Sequence, residues 1–295
     1  MIESSPDRAD HPLAPWRDLP REHWRTLGPN ELERAYMPSS RVDSLADEIR
    51  AYVDGSAAAR AALPFETHPY GAHPDELVDV VPAREPGLPL HVFLHGGYWQ
   101  ELSKDDSAFM AVPLVEQGVA FATVGYTLAP AATLAQIVDQ CVRAVAWCRD
   151  HARDLHADPD RVVISGSSAG AHLAAMVLTR LAGLAGAVLL SGIYDLAPIR
   201  RTSVDAALSL TDADIRALSP IDLAPRSPTP LIVAVGEIET AEFHRQSAAF
   251  TDGWRAHGCP VEELLAAGRH HFDLPTDLGD LATPLGRAVH RLTFG

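Results

Sequence analysis

Val162-Val163-Ile164-Ser165-Gly166-Ser167-Ser168-Ala169-Gly170-Ala171-His172-Leu173-Ala174-Ala175 is the stretch that decides the fold. A β-branched run gives way to small residues and then to good helix formers, so a buried strand turns sharply into a helix. Inside it lies Gly166-x-Ser168-x-Gly170, the pattern of a nucleophile elbow. Such an elbow lifts the serine Oγ above the sheet and crowds the backbone two residues to either side. Glycine at 166 and 170 leaves out the Cβ atoms that would clash. The helix starting near Ala169 aims free N–H groups and its positive dipole end at the same spot. Gly, Ser and Ala are common residues, so the pattern alone also fits an ordinary strand–helix turn.

Working outward, the chain has 295 residues, 47% of them hydrophobic, which suffices for one large α/β domain. No Gly/Ser/Pro-rich linker divides its middle. A formal net charge of −15 argues against nucleic acid or an anionic membrane surface as partner. Cys141, Cys148 and Cys259 form neither a disulfide framework nor a zinc-ligand spacing. The first two share one face of a helix and read as core thiols. Glu3, Asp7, Arg8 and Asp10 leave no apolar core for a secretory signal. The longest apolar run, 181–190, is broken by glycines and too short to span a bilayer. The expectation is a cytoplasmic protein with a small-molecule substrate and no metal or cofactor. Its oligomeric state stays open, a homodimer included.

Along the chain, residues 1–30 read as an irregular arm packed on the body through Trp16 and Trp24. A single domain follows over 31–295. Helices are predicted over 31–36 and 44–62, the second capped by Asp43 or Ser44, then over 134–156, 242–257 and 278–292. Strands are predicted over 77–81, 88–94, 120–125, from Val162 to the elbow, 186–190, 231–235 and 261–265. Asp158-Pro159-Asp160 reads as a turn into the elbow strand. The segment 193–225 reads as an excursion over the top of the sheet, a candidate lid. Strands alternating with helices, several of them continuous apolar runs, predict a mostly parallel sheet covered on both faces.

Ligands of such a sheet sit at the carboxyl ends of its strands. Polar or glycine-rich clusters at 95–99, 166–170, 236–239 and 268–273 fall at such ends. Their order is oxyanion loop, serine, acid, histidine, the chain order of an α/β-hydrolase triad. Ser168 is the candidate nucleophile and needs an adjacent base. His271 is the candidate base, with His270 its direct rival among 14 histidines. Glu239 is the candidate acid, with Glu237 as rival and Asp195 able to substitute. Asp273 follows the histidine too closely. Backbone N–H groups of Gly97, Tyr98 and Ala169 are the candidate oxyanion hole. Tyr98 and Trp99 are candidates for lining the pocket, although packing over the loop fits them equally well. His95 reads as a brace for the loop, and His172 as a packed structural residue.

Several stretches resemble the serine-hydrolase type of kynurenine formamidase (arylformamidase) and its esterase relatives in the α/β-hydrolase superfamily. They are His-Gly-Gly-Tyr-Trp at 95–99, Ser-Ala-Gly-Ala-His-Leu at 168–173 and Ser-Gly-Ile-Tyr-Asp-Leu at 191–196. Glu-Phe-His-Arg-Gln-Ser at 242–247, His-Phe-Asp at 271–273 and Tyr36-Met37-Pro38-Ser39 continue the likeness. It spans roughly residues 31–292 and implies a triad of Ser168, Glu239 and His271. It also implies hydrolysis of N-formylkynurenine to kynurenine and formate, with a carboxylesterase on short acyl or aryl esters as the alternative. A catalytically silent binding module is a third reading. Two positions leave the formamidase pattern: residue 167 is Ser where formamidases often have His, and residue 239 is Glu where the animal enzymes have Asp. The histidine and aspartate metal motif of the metal-dependent bacterial formamidases does not occur in the chain.

Overall fold

Alternation of side chains along each strand builds two cores, one on either face of a single sheet. The computed structural model describes residues 13–295, so Glu3, Asp7, Arg8 and Asp10 lie outside the described residues. The strands are β1 (Glu66–Pro69), β2 (Leu77–Val81), β3 (Leu88–Leu94), β4 (Ala120–Val124), β5 (Ala157–Ser167), β6 (Gly186–Leu190), β7 (Leu231–Ile238) and β8 (Val261–His270). They form one sheet in the order β1-β2-β4-β3-β5-β6-β7-β8. β1 pairs antiparallel with β2, and β2 antiparallel with β4. Every other pairing is parallel. This is the expected mostly parallel α/β architecture.

The helices are α1 (Ala14–Arg17), α2 (Pro29–Ala35), α3 (Leu45–Ala62), α4 (Ala111–Glu116), α5 (Leu134–Asp150), α6 (Ala169–Arg180), α7 (Asp205–Leu208), α8 (Asp212–Leu218), α9 (Ala241–Ala256) and α10 (Pro284–Phe294). Leu90, Val92 and Leu94 of β3 join Val162 and Ile164 of β5 under α5, α6 and α9. Phe93, Phe121, Val163, Val188 and Leu190 face the other way, under α3, α4 and α10. No helix among the described residues is long and apolar enough to cross a membrane.

Local chemistry sets the helix ends. The Ser44 hydroxyl accepts from the Asp47 N–H and starts α3. Thr133 and Gln136 close a capping box at the head of α5. α5 stops at Asp150, six residues short of the predicted 156, because the chain turns through 151–156 and His156 adopts a φ of +57°. The 158–160 stretch belongs to β5, where the Asp160 N–H bonds back to the Asp158 carboxylate beside a register shift against β3. Outside the N-terminal arm and the 193–225 excursion, β1 and α4 were not predicted. β1, Glu-Thr-His-Pro, lacks an apolar alternation and is held by its edge pairing with β2. α4 is a single short turn too brief for a periodic signal.

Trp16 stacks on His244 of α9 with ring centroids 4.1 Å apart, and Trp24 is buried between Arg25 and Arg201. Residues 14–17 and 21–26 of the segment expected as irregular are helical turns. The 193–225 excursion carries α7, α8 and two further helical turns, and buries Tyr194, Leu196, Leu208 and Leu218.

The elbow is the tightest point of the fold. A Cβ on residue 166 would stand 2.2 Å from the Gly170 carbonyl oxygen, and one on residue 170 would stand 2.0 Å from the Leu94 oxygen of β3. Both neighbours are backbone and cannot swing aside. Gly170→Ala is therefore expected to cost at least about 3 kcal/mol of stability, or to abolish folding. Urea unfolding followed by circular dichroism measures it, and a loss below 1 kcal/mol, roughly an ordinary surface change, would contradict the crowding.

Candidate active site

Ser168 sits between β5 and α6 at φ +58° and ψ −120°, a strained conformation that a sharp strand-to-helix turn imposes. Its own N–H is anchored to the Leu190 carbonyl of β6 at 2.8 Å. Ser168 lines a cavity of about 320 Å³ together with His271, Gly97 and Tyr98. Ala169 is fully buried as the first residue of α6. Among the described residues, the N–H groups of Gly97, Tyr98 and Ala169 donate to no backbone or side-chain acceptor.

β7 and β8 bring the acid and the histidine together. His271 Nδ1 lies 2.8 Å from Glu239 Oε2. The other carboxylate oxygen, Oε1, accepts from the Gly236 N–H at 2.9 Å and from the Ser191 hydroxyl. Burial pushes the Glu239 carboxyl up, but the His271 charge and hydrogen bond, the Ser191 hydroxyl and the Gly236 amide outweigh it and hold the group below its ordinary value. Glu239 is thus a carboxylate beside an imidazole.

The rivals are placed elsewhere. His270 is the last residue of β8 and faces Glu48 of α3, 3.6 Å away. Glu237 is exposed and accepts from the Gly268 N–H. Glu239, two residues on, is buried. Asp195 pairs with Arg21 of the N-terminal segment. Asp273 accepts from the His270 N–H.

His95 stacks on Tyr126 at 4.1 Å and bonds the Gly96 carbonyl, and burial lowers its pKa to about 4, so it braces the loop as a neutral ring. His172 ties α6 to the Leu218 carbonyl of the excursion, and burial likewise lowers its pKa to about 4. The expectation that Trp99 lines the pocket is corrected. Its indole is fully buried, edge-on to His172 with centroids 4.9 Å apart, where a large apolar ring gains more than at an open cavity wall. Tyr98 does line the cavity.

Three contributions had little or no sequence signal. Ser191, at a φ of +47° past β6, was quoted only as part of a motif, yet its hydroxyl holds Glu239. The Tyr98 hydroxyl donates to the Tyr36 carbonyl, and the Thr240 hydroxyl to the Ala35 carbonyl, so residues 35–36 bridge the oxyanion loop and the acid loop. The Tyr36 hydroxyl in turn donates to buried Glu242, which Arg245 and His23 also hold. Finally, Met37, Leu45, Ile49 and Tyr52 from before β1 line the cavity, while the excursion supplies Ser203 and Val204. The cap over the site comes more from the chain's N-terminal third than from 193–225. No group of three or more His, Cys, Asp or Glu among the described residues could hold a metal ion.

With this geometry in place, comparison with known proteins is informative. The BD-FAE family matches residues 79–185, from β2 through the elbow helix. The kynurenine formamidase of Salmo salar is 37% identical over 279 residues, covering 87% of this chain and 94% of that protein. The kynurenine formamidase of Danio rerio is 35% identical over the same shares. Among solved structures, a candidate thioesterase from Silicibacter sp. superimposes with a TM-score of 0.80 at 26% identity, covering 88% of this chain and 99% of that one.

The depressed Glu239 carboxyl contributes stability that is full above the ordinary glutamate range and is lost as pH falls through its folded value. Removing the Ser191 donor weakens that contribution. Ser191→Ala is expected to lose about 1–3 kcal/mol at neutral pH, with the difference from the parent shrinking as pH falls below the ordinary glutamate range and the carboxyl protonates. Urea unfolding across a pH series measures this. A difference that stays constant with pH would separate Ser191 from the charge on Glu239.

Proposed function

The chain belongs to the kynurenine formamidase family of α/β-hydrolases, and from that premise we propose that it is a serine hydrolase cleaving the formamide of N-formylkynurenine. One observation carries this reading: the His271–Glu239 contact at 2.8 Å stands at the wall of the cavity that Ser168 lines. Glu239 occupies Nδ1, which leaves Nε2 of His271 as the nitrogen to take the Ser168 proton. The Ser168 oxygen attacks the formyl carbon. The N–H groups of Gly97, Tyr98 and Ala169 receive the oxygen as it gains charge, the step where fixed donors contribute most. His271 then passes its proton to the leaving arylamine, and a formyl ester remains on Ser168. Water, deprotonated by the same imidazole, releases formate and restores the serine.

The Tyr98 hydroxyl supports this arrangement from behind. Its bond to the Tyr36 carbonyl pins a residue held at a φ of +50°. A cavity of about 320 Å³ suits a small substrate. Carboxylesterase activity is the second reading, favoured by Ser167, which lines the cavity where formamidases often carry a histidine.

Ser168→Ala is expected to lower kcat by at least about 10³-fold without loss of fold. Tyr98→Phe keeps the backbone donor but frees it, so kcat falls about tenfold with KM little changed. Steady-state assays on N-formylkynurenine and on a short p-nitrophenyl ester check both. A parent enzyme that cleaves the ester but leaves N-formylkynurenine intact would remove the formamidase assignment and keep the esterase one.

A further inference from the structure

The turn that carries His271 is held from outside the sheet, by α3. β8 ends at His270, so His271 and Phe272 lie beyond the strand ladder. Within the turn, the Phe272 and Asp273 N–H groups donate to the His270 ring at 3.2 and 3.3 Å, and the His270 N–H donates to the Asp273 carboxylate at 2.7 Å. These bonds shape the turn locally. A longer-range bond ties it to the body: the Tyr52 hydroxyl of α3 donates to the Phe272 carbonyl at 2.6 Å. Among the described residues, that carbonyl accepts from no other group. Glu48, one helical turn before Tyr52, faces His270 on the same side of α3. The Tyr52 ring is itself fixed, stacked on Phe109 with centroids 4.5 Å apart and planes 8° from parallel.

Phe272 passes this restraint to the imidazole. Its ring meets the His271 ring edge-on with centroids 5.3 Å apart, Phe243 meets it from another side at 4.8 Å, and Glu239 holds Nδ1. Fixing the Phe272 carbonyl fixes the peptide next to His271 and the direction from which the Phe272 ring packs. Burial, reinforced by the charges of Glu48, Asp273 and Glu239, pushes the Tyr52 pKa up, so the hydroxyl remains a donor. We propose that Tyr52 is a positioning residue for His271, acting through the Phe272 carbonyl to keep the imidazole aligned with Glu239 at the cavity wall. A base displaced by even a fraction of an ångström loses rate while substrate binding is little altered. This deepens the proposed hydrolase reading and rests on it. Tyr52 also lines the cavity, so the helix that covers the substrate is the one that steadies the base.

The test compares the parent with Tyr52→Phe and Ser56→Ala. Tyr52→Phe removes the hydroxyl and keeps the ring on Phe109. Ser56→Ala removes a different buried bond of α3, the one that the Ser56 hydroxyl accepts from the Ala108 N–H at 3.0 Å, and leaves the 270–273 turn untouched. On a short p-nitrophenyl ester, Tyr52→Phe is expected to lower kcat about tenfold and to change KM by less than about twofold. Ser56→Ala lowers the thermal midpoint but keeps the parent kcat. The proton resonance of the His271 Nδ1–H in its bond to Glu239 broadens in Tyr52→Phe and stays as in the parent in Ser56→Ala, a readout that needs no substrate. A Tyr52→Phe kcat within about twofold of the parent, or an equal loss in Ser56→Ala, would overturn the positioning role. A parent that cleaves the ester but not N-formylkynurenine removes the formamide reading alone. If the parent cleaves neither, the hydrolase reading falls and the resonance decides: no change in Tyr52→Phe overturns the coupling of Tyr52 to His271.

Discussion

The approach of α6 to the end of β3 is the contact on which the site depends. The Leu94 carbonyl oxygen lies where a side chain on residue 170 would begin, and the Gly170 carbonyl lies where one on residue 166 would begin. With both positions reduced to glycine, the elbow closes on the neighbouring strand. Ser168 then stands directly beside Gly96, which continues β3 into the oxyanion loop. Two strands adjacent in the sheet thus bring Ser168 and the 96–98 loop to one place, and no larger residue at the turn allows it. The strain at Ser168 is held by this crowding and by the Leu190 carbonyl bonded to its N–H.

Glu239 and His271 come from the next strands, and they are held by hydrogen bonds as much as by packing. Both Glu239 oxygens are satisfied, by His271 on one side and by Ser191 and Gly236 on the other. This fixes a buried carboxylate that would otherwise resist ionisation. On the far side, Tyr36 joins the oxyanion loop to Glu242 and Arg245, a buried ion pair in α9. Such a pair adds little net stability, yet breaking it is costly, so it serves to lock one geometry. The N-terminal segment is thereby both a cap on the cavity and a clamp between the loop after β3 and the loop after β7.

Much of this was legible in the chain. The largely apolar runs at 88–94, 162–164 and 231–235 are buried on both faces, and that leaves a clear apolar signature. Ser168, Glu239 and His271 stood out as candidates because strand ends carry ligands and because their order matched a known arrangement. β1 and α4 were not readable, since a polar edge strand and a six-residue helix take their stability from neighbours and not from their own pattern. Trp99 was ambiguous because an aromatic next to glycines is compatible with a pocket wall or a core; the position of His172 decided it.

The sequence by itself determined the parallel strands and the elbow, because each rests on local sterics and period: glycine where Cβ cannot fit, apolar runs where both faces are covered. The tertiary structure decided which of two adjacent histidines meets the acid, which of two nearby glutamates it meets, and what closes the cavity. Those outcomes depend on register. His270 ends β8 and turns to α3, while His271 is the first residue beyond it and meets Glu239, and Glu237 is turned to the Gly268 N–H. They depend as well on contacts between residues some 60 to 200 positions apart, such as Tyr36 with Tyr98 and with Glu242. No local pattern encodes such distant pairings, because their energy exists only once the chain has brought the partners together.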